Sequence, residues 1–125
     1  PFARISKFRI EELKSGRAIV RAPYNNEFLR PGGTISGPVM MGLADFAMYA
    51  AVLTRVGIVE LALTTNFNIN FLHPPQPGDL LAKAQLIKLG KRLVVGEVEI
   101  YVDGHEDMVA HVTATYSLPP ALSGR

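Results

Sequence analysis

The chain is 125 residues long, 48% hydrophobic and 19% charged, which is enough for one domain with a real core and too little for two. Thirteen Lys and Arg against eleven Asp and Glu leave a formal charge of +2, far from the dense basic stripe of a nucleic-acid binder. The absence of cysteine excludes disulfides, thiolate catalysis and cysteine-ligated metal, and three scattered histidines make a poor metal site.

The first segment, Ile5 to Pro23, holds two short alternating runs, Phe8-Arg9-Ile10 and Ala18 to Ala22, separated by the turn residues Lys14-Ser15-Gly16. This pattern predicts a hairpin. Asn25 to Gly33 collects Asn, Pro and Gly and predicts a loop. Ser36-Gly37-Pro38 then joins an N-cap residue to a proline suited to a first helical turn, and the Ala-, Leu- and Met-rich run that follows predicts a long helix ending near Arg55 to Gly57. The uncharged run from Pro31 to Thr54 is interrupted by Asp45 and opens on Pro and Gly, so it reads as too broken for a membrane span. No secretory pattern opens the chain, and a cytoplasmic location is expected.

From Thr65 to Phe71 the period changes to two, which puts Phe67, Ile69 and Phe71 on one face of a strand. Pro74, Pro75, Pro77 and Gly78 end it. Leu80 to Leu89, Leu93 to Val102 and Met108 to Leu118 read as three more strands, broken at Gly90-Lys91-Arg92 and at Asp103-Gly104-His105. Two short strands, a long helix and four strands in antiparallel succession make an α+β domain over residues 1–125. The mean hydropathy of +0.18 predicts that the domain meets another subunit. One helix cannot cover both sheet faces, so Val94, Val98, Ile100, Val102, Val109 and Tyr116 are expected to need a partner.

Asp45 is the only charged residue between Arg30 and Arg55, and Met41, Gly42, Met48 and Tyr49, three and four positions away, supply no cation. A helix apolar all round is expected to be buried, and desolvation would then make this carboxylate more basic, able to activate water or attack a carbonyl. The bland alternative is that Asp45 bonds a neighbouring backbone or hydroxyl group and only fixes the packing. Gly37 is either a turn residue or a backbone N–H at the positive end of the helix, placed to stabilise an oxyanion. Thr64 reads equally as a β-former. None of His73, His105 and His111 has a spacing that suggests a shared site; His111, in a strand, reads as a satisfied, partly buried residue.

Gly33-Thr34-Ile35-Ser36-Gly37-Pro38 through Leu43-Ala44-Asp45-Phe46-Ala47 resembles the active-site signature of the phenylacetate-type (PaaI-like) hotdog thioesterases. That family shows Asn-Pro-x-Gly-x-x-His-Gly-Gly and then Leu-Ala-Asp, with the Asp nine positions after the His; here Ser36 is followed nine positions on by Asp45. Thr64 to Phe71, Pro77-Gly78-Asp79 and Gly90-Lys91-Arg92 extend the resemblance over nearly the whole chain. It implies a hotdog fold, a long central helix wrapped by a curved antiparallel sheet. It also implies a homodimer or homotetramer, a dimer of dimers, whose acid and oxyanion glycine come from different subunits. The implied reaction is hydrolysis of acyl-CoA without metal or cofactor. Asp45 would be general base or nucleophile, Gly37 the oxyanion donor and Thr64 a hydroxyl that positions water. Lys91 and Arg92 would approach the coenzyme, or are merely a solvated turn.

Three positions depart from that pattern. Ser36 replaces the family's His and could act in its place or only cap the helix. Arg30 replaces its Asn and could reach the substrate carbonyl, bind a substrate carboxylate or pair with Asp45. Pro38 replaces the second Gly and leaves the Gly37 donor intact. Two other readings stand beside hydrolysis. A dehydratase or hydratase on acyl thioesters needs a His that does not occur before His73, and a non-catalytic acyl-thioester binding protein would keep the pocket without turnover.

Overall fold

The structure is a computed structural model that describes residues 8–24, 37–57 and 63–118. Strands Arg9–Lys14 (β1) and Arg17–Ala22 (β2) form the expected hairpin. Its turn contains Gly16 at a φ of 76°, a conformation that side chains with a Cβ rarely adopt. The helix Gly37–Val56 (α1) follows and stops where Gly57, at a φ of 75°, donates its N–H to Leu53 O at 2.9 Å. Then come Leu63–Phe71 (β3), Leu80–Leu89 (β4), Leu93–Val102 (β5) and Met108–Ser117 (β6).

All six strands lie in one antiparallel sheet of order β1-β2-β4-β5-β6-β3. The expected succession therefore holds for β4, β5 and β6 but not for β3, which crosses to the far edge and pairs with β6. Pro74, Pro75 and Pro77 explain this, because a connection with three fixed φ angles and three missing N–H groups cannot close as a tight hairpin onto β4.

The helix lies across β2, β4 and β5 and reaches β6 only at its margin. It buries Met40, Leu43, Ala44, Ala47, Met48, Ala50, Ala51 and Val52 against the inward faces of the strands. Full burial of a side chain such as Leu43 is worth about 1.5–3 kcal/mol relative to exposure. Gly96 sits in the inward row between Val94 and Val98, and a Cβ there would overlap Met48 Sδ and Cε and lie 3.0 Å from Gln85 O. The missing side chain is what lets the middle of the helix settle on β5. At its C-terminal end, Thr54 Oγ1 accepts the Gly16 N–H at 2.8 Å and ties the helix to the first hairpin.

Two expectations fail here. Val94, Val98, Ile100, Val102, Val109 and Tyr116 need no partner subunit, since all are at most 5% exposed within one chain. Val94, Val98, Ile100 and Tyr116 lie on the sheet face against which α1 packs, while Val102 and Val109 line a cleft with His73 and Pro74. Gly37, Pro38 and Asp45 do not break the apolar run either: α1 is continuous from Gly37 to Val56, 20 residues, and by length and hydropathy alone it could cross a membrane. Its packing on the sheet shows the alternative use of such a helix, as the core of a domain.

Candidate active site

Asp45 lies halfway along α1 on the stripe that the sheet leaves uncovered, beside exposed Pro38, Met41 and Phe46. The expectation of a buried carboxylate is thus overturned for the single chain. The helix is apolar on nearly every side, yet one sheet face can cover only part of its circumference. What remains uncovered lines an open cleft of about 480 Å³ formed by Pro38, Gly42, Asp45, Phe46, Tyr49, Thr64 and Tyr116.

Two hydroxyls converge on one oxygen of Asp45. Tyr116 donates to Oδ1 at 2.7 Å and lies 3.1 Å from the main-chain carbonyl of the same residue, while Thr64 donates to Oδ1 at 3.2 Å. Oδ2 accepts no hydrogen bond among the described residues. The functional and the bland readings of Asp45 thus share a geometry: the carboxylate is held by hydroxyls and still opens onto a cleft.

A bulge brings Thr64 to this place. The alternation that points Phe67, Ile69 and Phe71 inward would put Thr65 in line with them and Thr64 on the opposite face. The β3–β6 register shifts between Thr64 and Asn66, so that Thr64 is the residue opposite Tyr116, and Thr65 instead donates to Thr115 O at 3.3 Å. Tyr116 continues the inward row Ala110, Val112 and Ala114 of β6, where its ring stacks on Tyr49 with centroids 6.2 Å apart. Only 2% of it is exposed. That burial, followed by its bond to Asp45, pushes its hydroxyl well above the usual tyrosine range and keeps it a neutral donor at ordinary pH. Its role was missed in the sequence, where it read only as an apolar strand residue.

Gly37, Lys91 and Arg92 are not gathered around the same carboxylate. Gly37 is the first residue of α1, eight positions before Asp45, and a Cβ on it would come within 3.2 Å of the Phe71 ring. At 1.5 Å per residue the two are about 12 Å apart along the helix axis. Lys91 and Arg92 are exposed in the β4–β5 turn, and Arg92 O accepts the Leu118 N–H at 2.8 Å, which fastens that turn two residues beyond Tyr116. Arg30 and Ser36 fall outside the described residues. His111 is half-buried and bonded to Glu97 at 2.9 Å, as a satisfied strand residue would be. His73 and His105, which sequence spacing kept apart, line one open cleft of about 440 Å³ with Glu106 and Asp107. No group of three or more metal-ligating side chains is found among the described residues.

A long helix laid across a six-stranded antiparallel sheet is the hotdog architecture. The family profile of the thioesterase superfamily matches residues 32–109, well over half of the chain, and the chain belongs to that superfamily. A solved structure from Silicibacter sp. TM1040, provisionally named a thioesterase, superposes with a TM-score of 0.86 at 44% identity, covering 95% of this chain and 84% of the other. A single-residue mutant of the phenylacetic acid degradation protein PaaI from Thermus thermophilus gives a TM-score of 0.83 at 26% identity, with 95% of this chain and 99% of the other covered. A protein of Saccharolobus solfataricus, provisionally named an esterase, is 32% identical over 91 residues, 73% of this chain; the match spans 64% of that relative's length. The resemblance read from Gly33 to Ala47 is therefore to the right family.

Proposed function

We propose that this protein hydrolyses an acyl-CoA thioester to a free acid and CoA, with Asp45 as the general base. The observation that carries this reading is the Asp45 carboxylate in its cleft, fixed through Oδ1, with Oδ2 accepting no hydrogen bond among the described residues. A water bonded to Oδ2 would lose its proton to the carboxylate as its oxygen attacks the thioester carbonyl. Collapse of the tetrahedral intermediate breaks the C–S bond, and the proton returns to the departing thiolate. Lys91 and Arg92, fastened to the Tyr116 end of the sheet, are suited to the phosphates of the coenzyme.

The oxyanion donor comes from a second copy of the chain. A separation of about 12 Å keeps the Gly37 N–H from any carbonyl held against Asp45 of the same helix. Exposed Met41, Phe46, Phe71 and Leu72 supply apolar surface for that association. The edge strand β3 has a free side for sheet pairing among the described strands.

A panel of aromatic and aliphatic acyl-CoAs, followed by free-thiol release, tests the reaction; no release from any of them rejects it. Mixing Asp45→Asn with Gly37→Pro protein tests the shared site. Each is expected to be folded and inactive alone, and subunit exchange should restore activity through hybrid dimers that carry one intact site. Exchange seen by mass without returning activity rejects the shared site and leaves the reaction itself standing.

A further inference from the structure

Resting on that functional reading, we infer that Tyr116 is a positioning residue that locks the catalytic carboxylate and selects Oδ2 as its reacting oxygen. One phenolic oxygen lies 2.7 Å from Oδ1 and 3.1 Å from the main-chain carbonyl of Asp45, so it contacts the residue on both sides of its χ1 bond. Rotation about χ1 would break the shorter bond. Thr64 holds the same oxygen from the neighbouring strand at 3.2 Å, and the two hydroxyls arrive side by side because Thr64 and Tyr116 are direct partners in the β3–β6 register. With Oδ1 occupied twice, Oδ2 is left to face the cleft.

The lock is itself rigid. Tyr116 is 2% exposed and stacked on Tyr49, one turn further along the helix from Asp45, so its hydroxyl has no room to swing away. An exposed acid on a helix surface ordinarily samples several rotamers, and each unproductive one lowers the fraction of molecules ready to react. Removing the hydroxyl should therefore reduce turnover far more than substrate binding. Tyr116 acts through Asp45 and need not touch the substrate.

The test is Tyr116→Phe, which removes one oxygen and keeps the ring. The expected result is a kcat lower by about tenfold to a hundredfold, the scale of a lost bond to a charged group, with KM within about threefold. In parallel, the three-bond couplings that report χ1 of Asp45 should show one rotamer in the wild-type chain and averaging in the variant. Thr64→Val, which leaves the core untouched, should change both in the same direction by less, and 3-fluorotyrosine at position 116 should retain wild-type behaviour. A single Asp45 rotamer in Tyr116→Phe, or an unchanged kcat, overturns the inference. If the wild-type chain releases thiol from no acyl-CoA, the hydrolase reading fails separately, and the couplings still decide whether Tyr116 positions Asp45.

Discussion

Two polar clusters flank the core, built from similar parts and finished differently. Around Arg21, Glu11 of β1 bonds Nε at 2.5 Å, while Asp79 and Asp103, from the turns before β4 and after β5, bond Nη1 at 2.9 and 2.8 Å. Asp79 also accepts the Tyr24 N–H at 2.7 Å. Three turns and strands are pinned by one guanidinium whose charge is fully answered. Around Asp45, which lines a cleft, the donors are two neutral hydroxyls, and among the described residues no cation is bonded to it and its second oxygen accepts no hydrogen bond. A saturated cluster can only hold things together; an unsaturated one has capacity left for a substrate or a water.

Activity should divide the two clusters most sharply. Asp45→Asn is expected to lower thiol release by about a hundredfold or more while leaving the thermal midpoint nearly unchanged, because the amide keeps the shape and loses the base. Arg21→Met should do the reverse, sparing kcat and lowering stability by about 1 kcal/mol, the scale of a partly exposed ion-pair network. Calorimetry and a thiol assay on both variants check this, and a fall in kcat of Arg21→Met equal to that of Asp45→Asn would erase the distinction.

Stability against pH separates the clusters next, from opposite ends of the scale. The Tyr24 N–H, with Arg21 adding to it, holds the Asp79 carboxyl below its usual range despite partial desolvation. Its folded form is thus the more acidic, so its contribution is present above the unfolded value near 4 and is lost as pH falls through the folded one. Tyr116 is raised, so its contribution is intact below the unfolded value near 10 and is lost as pH rises above it. Urea midpoints across pH should show Asp79→Asn flattening the acid limb and Tyr116→Phe flattening the alkaline one. A variant that moved the opposite limb would break the assignment.

The smallest effect is expected where exposed charge alone is at work. Replacing Lys91 and Arg92 by Ala should raise KM for acyl-CoA by about threefold to tenfold, as surface contacts of up to about 1 kcal/mol each allow. A pantetheine thioester, which lacks the nucleotide phosphates, should be unaffected. An equal rise for both substrates would place the two residues away from the phosphates.

Local chemistry makes much of this molecule legible in its sequence alone. Gly16 and Gly57 mark the hairpin turn and the helix end because both need a positive φ, and period-two alternation marks the strands because successive side chains face opposite ways. Asp45 stood out because a lone charge in an apolar helix has no local partner, and its spacing from Ser36 pointed to the family. The place of β3 beside β6, the bulge that turns Thr64 toward the helix, and the reach of Tyr116 to Asp45 across 71 positions were decided only by the tertiary structure. Each depends on which strand lies beside which, and strand pairing is a long-range choice that residue type and short-range spacing do not encode. The exposure of Asp45 has the same origin: periodicity shows that a helix is apolar, but only the packed sheet determines how much of its circumference is covered.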